Sequence, residues 1–192
     1  MAMPWVLRAL LPTALIVASL GAHASAAQLV NENLIAAAPP GFKAALHQTQ
    51  DDVDITEWIP AGQTIKGWTE MLTVQTFHAL KVAPDRFMSD VERRWRAACP
   101  GAGFAQPLAK GAENGYPALV WILDCPRNPL SGQPEITWFK AVLGNDNFYV
   151  VQKAFKFTPS KEQIERWIGY LKSVTVCDSR LPDRACPRSE QH

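Results

Sequence analysis

Apolar and polar positions change period several times along this chain. From residue 9 to residue 22 the apolar residues run on without alternation, interrupted by Pro12, and Arg8 is the only charge before Glu32. That run is shorter than the about 20 residues a membrane-spanning helix needs. Small residues follow it, and Ala24-Ser25-Ala26 fits the small-x-small rule of signal peptidase. The pattern predicts an export signal over residues 1–26, cleaved after Ala26 with Ala24 and Ala27 as alternatives, and one α+β domain over residues 27–192. No cysteine stands just after the apolar stretch to carry a lipid, and no later apolar run approaches spanning length. No membrane insertion is expected after cleavage.

Beyond the signal, residues 28–40 read as a lead-in ending at Pro39-Pro40-Gly41. Residues 42–50 and 53–59 read as two short strands around the turn Asp51-Asp52, and Pro60-Ala61-Gly62 as a second turn. Residues 71–78 are rich in Thr, Val and Phe, side chains that suit a pleated surface. The period then becomes helical. Met88, Val91, Trp95 and Ala98 recur at helical spacing, Pro84 suits a first turn, Asp85 suits the positive end of the helix dipole, and Pro100-Gly101 stops the run. Residues 118–123 are continuously apolar, the mark of a buried strand. Residues 136–143 and 148–157 flank Gly144-Asn145-Asp146-Asn147, a hairpin signal. In the second arm Tyr149, Val151, Phe155 and Phe157 share one face at period two, and Lys153 breaks the pattern. A last helix over about residues 160–172 is predicted by the Ser160/Gln163 capping box and the stripe Ile164, Trp167, Ile168, Leu171. A short strand over residues 174–177 follows, then an irregular polar tail from about residue 178.

Strands joined by hairpins, with a helix after each group, predict an antiparallel sheet of about six or seven strands carrying two main helices on one or both faces. Six tryptophans after the signal (58, 68, 95, 121, 138 and 167) predict an aromatic core. Four cysteines, Cys99, Cys125, Cys177 and Cys186, form an even set that in an exported chain reads as two disulfides. Of the three connectivities, the sequential one is expected, because each pair is near in sequence and bounded by turn formers. A zinc site is disfavoured by the lack of C-x-x-C spacing.

Charge narrows the partners. The whole chain carries 19 basic and 18 acidic residues, and loss of Arg8 with the signal balances them. A neutral chain has no global field to recruit nucleic acid, so none is expected as a partner. The arginines of the first helix read as a solvated face with pairs such as Asp90–Arg94 and Glu92–Arg96.

Few residues suggest catalysis. His47 and His78 lie on predicted strands without metal-binding spacing, and nucleophile-elbow or phosphate-loop glycine patterns are missing. Asp51, Asp52, Asp54 and Glu57 are dense enough to suggest calcium, but they lack the glycine turn and distal glutamate of an EF-hand. No metal or cofactor is expected.

The most individual stretch is Pro60 to Gln75, which has the form P-x-G-x(5)-W-T-E-M-x-T-V-Q. It resembles a family of uncharacterised exported bacterial proteins. The order of elements is also similar to PsbP-like α+β domains. The resemblance implies a compartment and a fold, and no catalytic residue. Within the stretch, Trp68 and Glu70 are expected to fix the turn, with Glu70 reaching backbone donors near Gly62. The alternative is a binding groove lined by Trp58, Trp68 and Glu70.

These readings converge on a periplasmic or secreted, non-enzymatic binding or accessory protein of the cell envelope. Its partner is an envelope protein or a small ligand, met through a sheet face or edge. The alternatives are a small envelope hydrolase pairing Glu70 with Asp54 or Glu57, aided by His78, and a secreted effector or inhibitor.

Overall fold

The structure, a computed structural model, describes residues 29–187, so the predicted signal lies outside the described residues. In chain order the elements are β1 (Glu32–Ile35), β2 (Phe42–Gln50), β3 (Val53–Pro60), β4 (Glu70–His78), α1 (Pro84–Ala98), β5 (Gln106–Glu113), β6 (Tyr116–Cys125), β7 (Glu135–Leu143), β8 (Asn147–Phe155), α2 (Lys161–Ser173) and β9 (Thr175–Asp178). A 3-10 turn, Pro182–Arg184, follows. Seven strands form one antiparallel sheet in the order β2-β3-β4-β8-β7-β6-β5, and β1 pairs with β9 in a second, two-stranded sheet. The fold is α+β, with helices on both faces.

Alternation along the strands sorts side chains to those faces. Leu119, Trp121 and Leu123 of β6, Phe139 and Ala141 of β7, and Phe148 and Val150 of β8 point one way, where Phe87, Met88, Val91 and Trp95 of α1 pack on them. Leu72, Trp138, Val151 and Phe155 point the other way, onto Trp167 and Leu171 of α2. The β1–β9 pair lies on the α2 side, where Val176 packs against Tyr116, Val142 and Tyr149. Trp121, Trp138 and Trp167 are buried, while Trp58, Trp68 and Trp95 are only half-buried, so three of the six expected core tryptophans belong to the buried set.

Two strands were not foreseen. Residues 32–35, read as lead-in, pair with β9 as Glu32↔Asp178 to Ile35↔Thr175. Residues 106–113 pair with β6 as an edge strand whose register shifts between Pro107 and Ala109. The disulfides join Cys99 to Cys125 and Cys177 to Cys186. The first ties the end of α1 to the end of β6. The Ser160/Gln163 capping box forms at the start of α2.

Candidate functional site

Glu70 opens β4 on the α2 side. Its Oε2 lies 2.8 Å from Nζ of Lys153, whose side chain is completely buried. The Lys153 ammonium sits 4.0 Å from the centre of the Trp167 ring, 4.4 Å from Phe155 and 5.0 Å from Phe42. Burial pushes the Lys153 amine down to about 8, and the hydrogen bond and charge of Glu70 resist that fall. Trp58 packs against the same cluster. Trp68 lies elsewhere, on the loop before β4, with Nζ of Lys156 3.7 Å over its ring. It lines an open polar cleft of about 540 Å³ with Asn128, Glu135 and Lys156, and neither Trp58 nor Glu70 borders that cleft. The three residues therefore do not share one wall.

The turn before β4 is also held differently. Gln63 fixes it, donating from Nε2 to Thr69 Oγ1 at 2.8 Å and accepting the Thr69 backbone N–H at 2.8 Å. Glu70 is left free to neutralise Lys153.

Strand register separates the carboxylates of the hydrolase alternative. Asp54 pairs with Thr76, six residues along β4 from Glu70, a separation of roughly 20 Å at about 3.3 Å per residue. Paired glycosidase carboxyls stand about 5–9.5 Å apart. Glu57 faces the α1 side, opposite to Glu70, because it pairs with Thr73 while Trp58 pairs with Leu72. Asp54 instead accepts from Thr49 Oγ1 at 2.6 Å and meets His78 Nε2 at 2.7 Å. Those hydrogen bonds, Thr49's first and then His78's, hold its carboxyl below the usual carboxylate range. His47 is occupied separately, its Nδ1 2.9 Å from Thr56 Oγ1.

The concavity that combines apolar walls with convergent polar groups lies on the other face. Helix α1 crosses the sheet over β6 and β7 and leaves an open groove of about 530 Å³ beside β4 and β8. Phe77, Phe87, Trp95 and Phe139 supply aromatic walls. They hold one another in place: Phe77 meets Phe87 edge-on at 5.6 Å, and Trp95 meets Phe139 edge-on at 6.1 Å. Trp95 is further fixed by its indole N–H, which donates to the carbonyl of Asp124 at 3.0 Å. On the floor, Gln152 Nε2 donates to Gln75 Oε1 at 2.6 Å. Asp90 and Arg94 of α1 form the rim.

The predicted pair Asp90–Arg94 does not form. Asp90 is taken by Arg93 at 2.8 Å and faces Arg86 at 3.9 Å, whereas Glu92 and Arg96 do approach to 3.9 Å. Sequence reasoning missed this groove because its residues come from β4, α1, β7 and β8. Two signals were present: glutamines inside strands, Gln75 after Val74 and Gln152 after Val151, and an arginine three residues after Val91 on the edge of the packing stripe.

A second concavity of about 520 Å³ lies between α2 and the β5–β6 edge, above Lys140. The Lys140 ammonium donates to Glu113 Oε2 at 2.7 Å and to the carbonyls of Leu171 at 2.9 Å and Val174 at 2.6 Å. Its three donors are thereby used within the fold.

No family model matches the sequence, and no curated protein matches it. Among solved structures, the chain is similar to the Ran-binding protein Mog1p of Saccharomyces cerevisiae, at 12% identity and a TM-score of 0.43, over 74% of this chain and 85% of that one. It is also similar to the cyanobacterial PsbP (CyanoP) of Synechocystis, at 7% identity and a TM-score of 0.46, over 80% of this chain and 96% of that one. No residue role, ligand or partner transfers across similarity of that degree.

Proposed function

We propose that this chain is an exported, non-enzymatic binding protein of the cell envelope, periplasmic or secreted, and that its ligand or partner seats in the groove between α1 and the β4–β8 floor. One observation carries the reading: aromatic walls, a polar amide floor and a charged rim meet in a single open concavity. Apolar walls with a few placed polar groups are the usual composition of a binding site. The leader pattern and the two disulfides support an oxidising address outside the cytosol.

The test is in-cell cross-linking of the tagged mature protein with mass spectrometry of the captured species, run beside Gln152→Phe, which fills the groove floor. Capture by the wild type that is lost in the folded variant supports the groove. Equal capture by both, with the variant folded by circular dichroism, places binding elsewhere and overturns the reading.

A further inference from the structure

We propose that the groove selects a ligand with a carboxylate joined to a flat apolar body, the carboxylate held by the Arg94 guanidinium with the Gln75 amide as second donor. The inference deepens the groove reading and rests on it.

The charged and hydrogen-bonding groups around the groove are unevenly committed. Asp90, the rim carboxylate, is already engaged by Arg93 at 2.8 Å with Arg86 3.9 Å away. Its charge is covered from its own helix. Arg94, on the same rim, makes no ion pair among the described residues, although the helix sets Asp90 four residues before it. On the floor, Gln75 spends its oxygen on the amide of Gln152 at 2.6 Å and keeps its own NH₂ group without a protein partner among the described residues. The free groups are therefore mostly donors, a guanidinium fork above and the Gln75 NH₂ below, beside an acceptor on the floor, the Oε1 of Gln152. On the same sheet face, Lys110 of β5 is committed to Asp85 of α1 at 3.2 Å, and Glu57 pairs with Thr73, which itself pairs with Gln152, so β4 separates Glu57 from the groove floor.

A guanidinium presents paired N–H groups in the geometry of a carboxylate, and charge-assisted bonds of that kind are about twice as strong as neutral ones. The walls specify the rest of the ligand. Phe77, Phe87 and Trp95, each half-buried, offer ring surface to a planar apolar group, while the buried Phe139, stacked on Trp121 at 4.8 Å, backs the Trp95 wall. Arg94 is exposed on a helix that is anchored by its other residues, so replacing it does not empty the core.

The experiment uses two probes that differ in one group, 3-phenylpropionate and 3-phenylpropan-1-ol, titrated into isotope-labelled mature protein and followed by NMR. The expected result is that the acid binds about ten-fold tighter than the alcohol, the worth of a hydrogen bond to a charged group. It should shift the Arg94 Nε–H and the Gln75 side-chain amide. Arg94→Gln should erase the preference, and Arg94→Lys, which keeps the charge but loses the fork, should retain only part of it. Equal affinity of the two probes, both shifting groove resonances, overturns the carboxylate inference while the groove reading stands. Acid binding that shifts only resonances outside the groove, or a preference unchanged in Arg94→Gln, overturns it as well. If neither probe moves a groove resonance, both the inference and the groove reading fall.

Discussion

Lys153 and Lys140 occupy inward positions on β8 and β7, where the strand pattern calls for apolar side chains. An unpaired buried ammonium is costly, and removing the partner of a buried pair costs about 3–5 kcal/mol. For Lys153 that partner is Glu70. Glu70→Ala is expected to lower stability by about that amount, read as a fall in the urea midpoint. A Glu70→Ala protein as stable as the wild type would return Glu70 to the list of candidate binding residues. The same pair sets a pH dependence. The Lys153 amine lies at about 8 in the folded chain against an ordinary 10.5. Between those values the unfolded chain binds a proton that the folded chain does not, so stability rises with pH through the window. Below pH 8 both states hold the proton and the burial cost is fully present. Burial holds the hydroxyl of Tyr170 up at about 12 and raises those of Tyr149 and Tyr116. Those groups remove stability above about pH 10, so the rise is best read between pH 8 and 10, where it amounts to roughly 2–3 kcal/mol. Urea midpoints of wild type minus Lys153→Met across that window isolate it. A flat difference would show that the Lys153 amine is not depressed.

At the scale of elements, one carboxylate joins the small sheet to the large one. Glu32 of β1 accepts the backbone N–H groups of Asn145 at 2.5 Å, Asp146 at 3.1 Å and Asn147 at 3.1 Å, and the hydroxyl of Tyr149 at 3.1 Å. The hairpin tip between β7 and β8 thus wraps an anion that arrives from β1. Gly144 is required there, because a Cβ at that position would run into the Glu32 carboxylate. Gly144→Ala and Glu32→Gln should each destabilise, by about 1.5–3 kcal/mol, with hydrogen exchange rising first in β1 and β9. Unchanged exchange there would mean that the clamp does not hold the small sheet. The local turn was legible in Gly144-Asn145-Asp146-Asn147, but its long-range partner was not. Strands β2, β3, β4, β7 and β8 and both helices were readable because their periods are clear. The four residues of β1 are too few to show a period. The QPLAKGAE of β5 has Pro and Gly where a strand signal expects branched residues, which an edge strand with a register shift tolerates. Glu70 stood out by its motif, but its buried partner lay 83 residues away. The groove had only faint local signals, the two strand glutamines and Arg94, since the residues that line it come together only after the sheet has formed.

For the whole molecule, the decisive constraint is covalent. The Cys99–Cys125 bridge fastens the end of α1 to β6, one helical turn from Trp95, and so secures one wall of the groove. The Cys177–Cys186 bridge holds the segment after β9 across the 3-10 turn. With sequence separations of 26 and 9, loop-closure entropy gives about 3.5 and 2.6 kcal/mol. Together they approach the whole net stability of a marginal domain, typically about 5–15 kcal/mol. The chain should therefore depend on an oxidising compartment for its fold. Denaturant midpoints of oxidised protein, of Cys99→Ala/Cys125→Ala and of Cys177→Ala/Cys186→Ala test this directly. The first double variant should lose more stability than the second. It alone should also raise hydrogen exchange in the last turn of α1 and weaken whatever binds between α1 and the sheet. If both variants keep the oxidised midpoint, the bridges do not hold the fold, and the strongest physical reason for placing this protein outside the cytosol is removed. If the first variant folds but its groove loosens, the bridge is part of the binding site, coupling the redox state of the compartment to ligand capture through a single helix end.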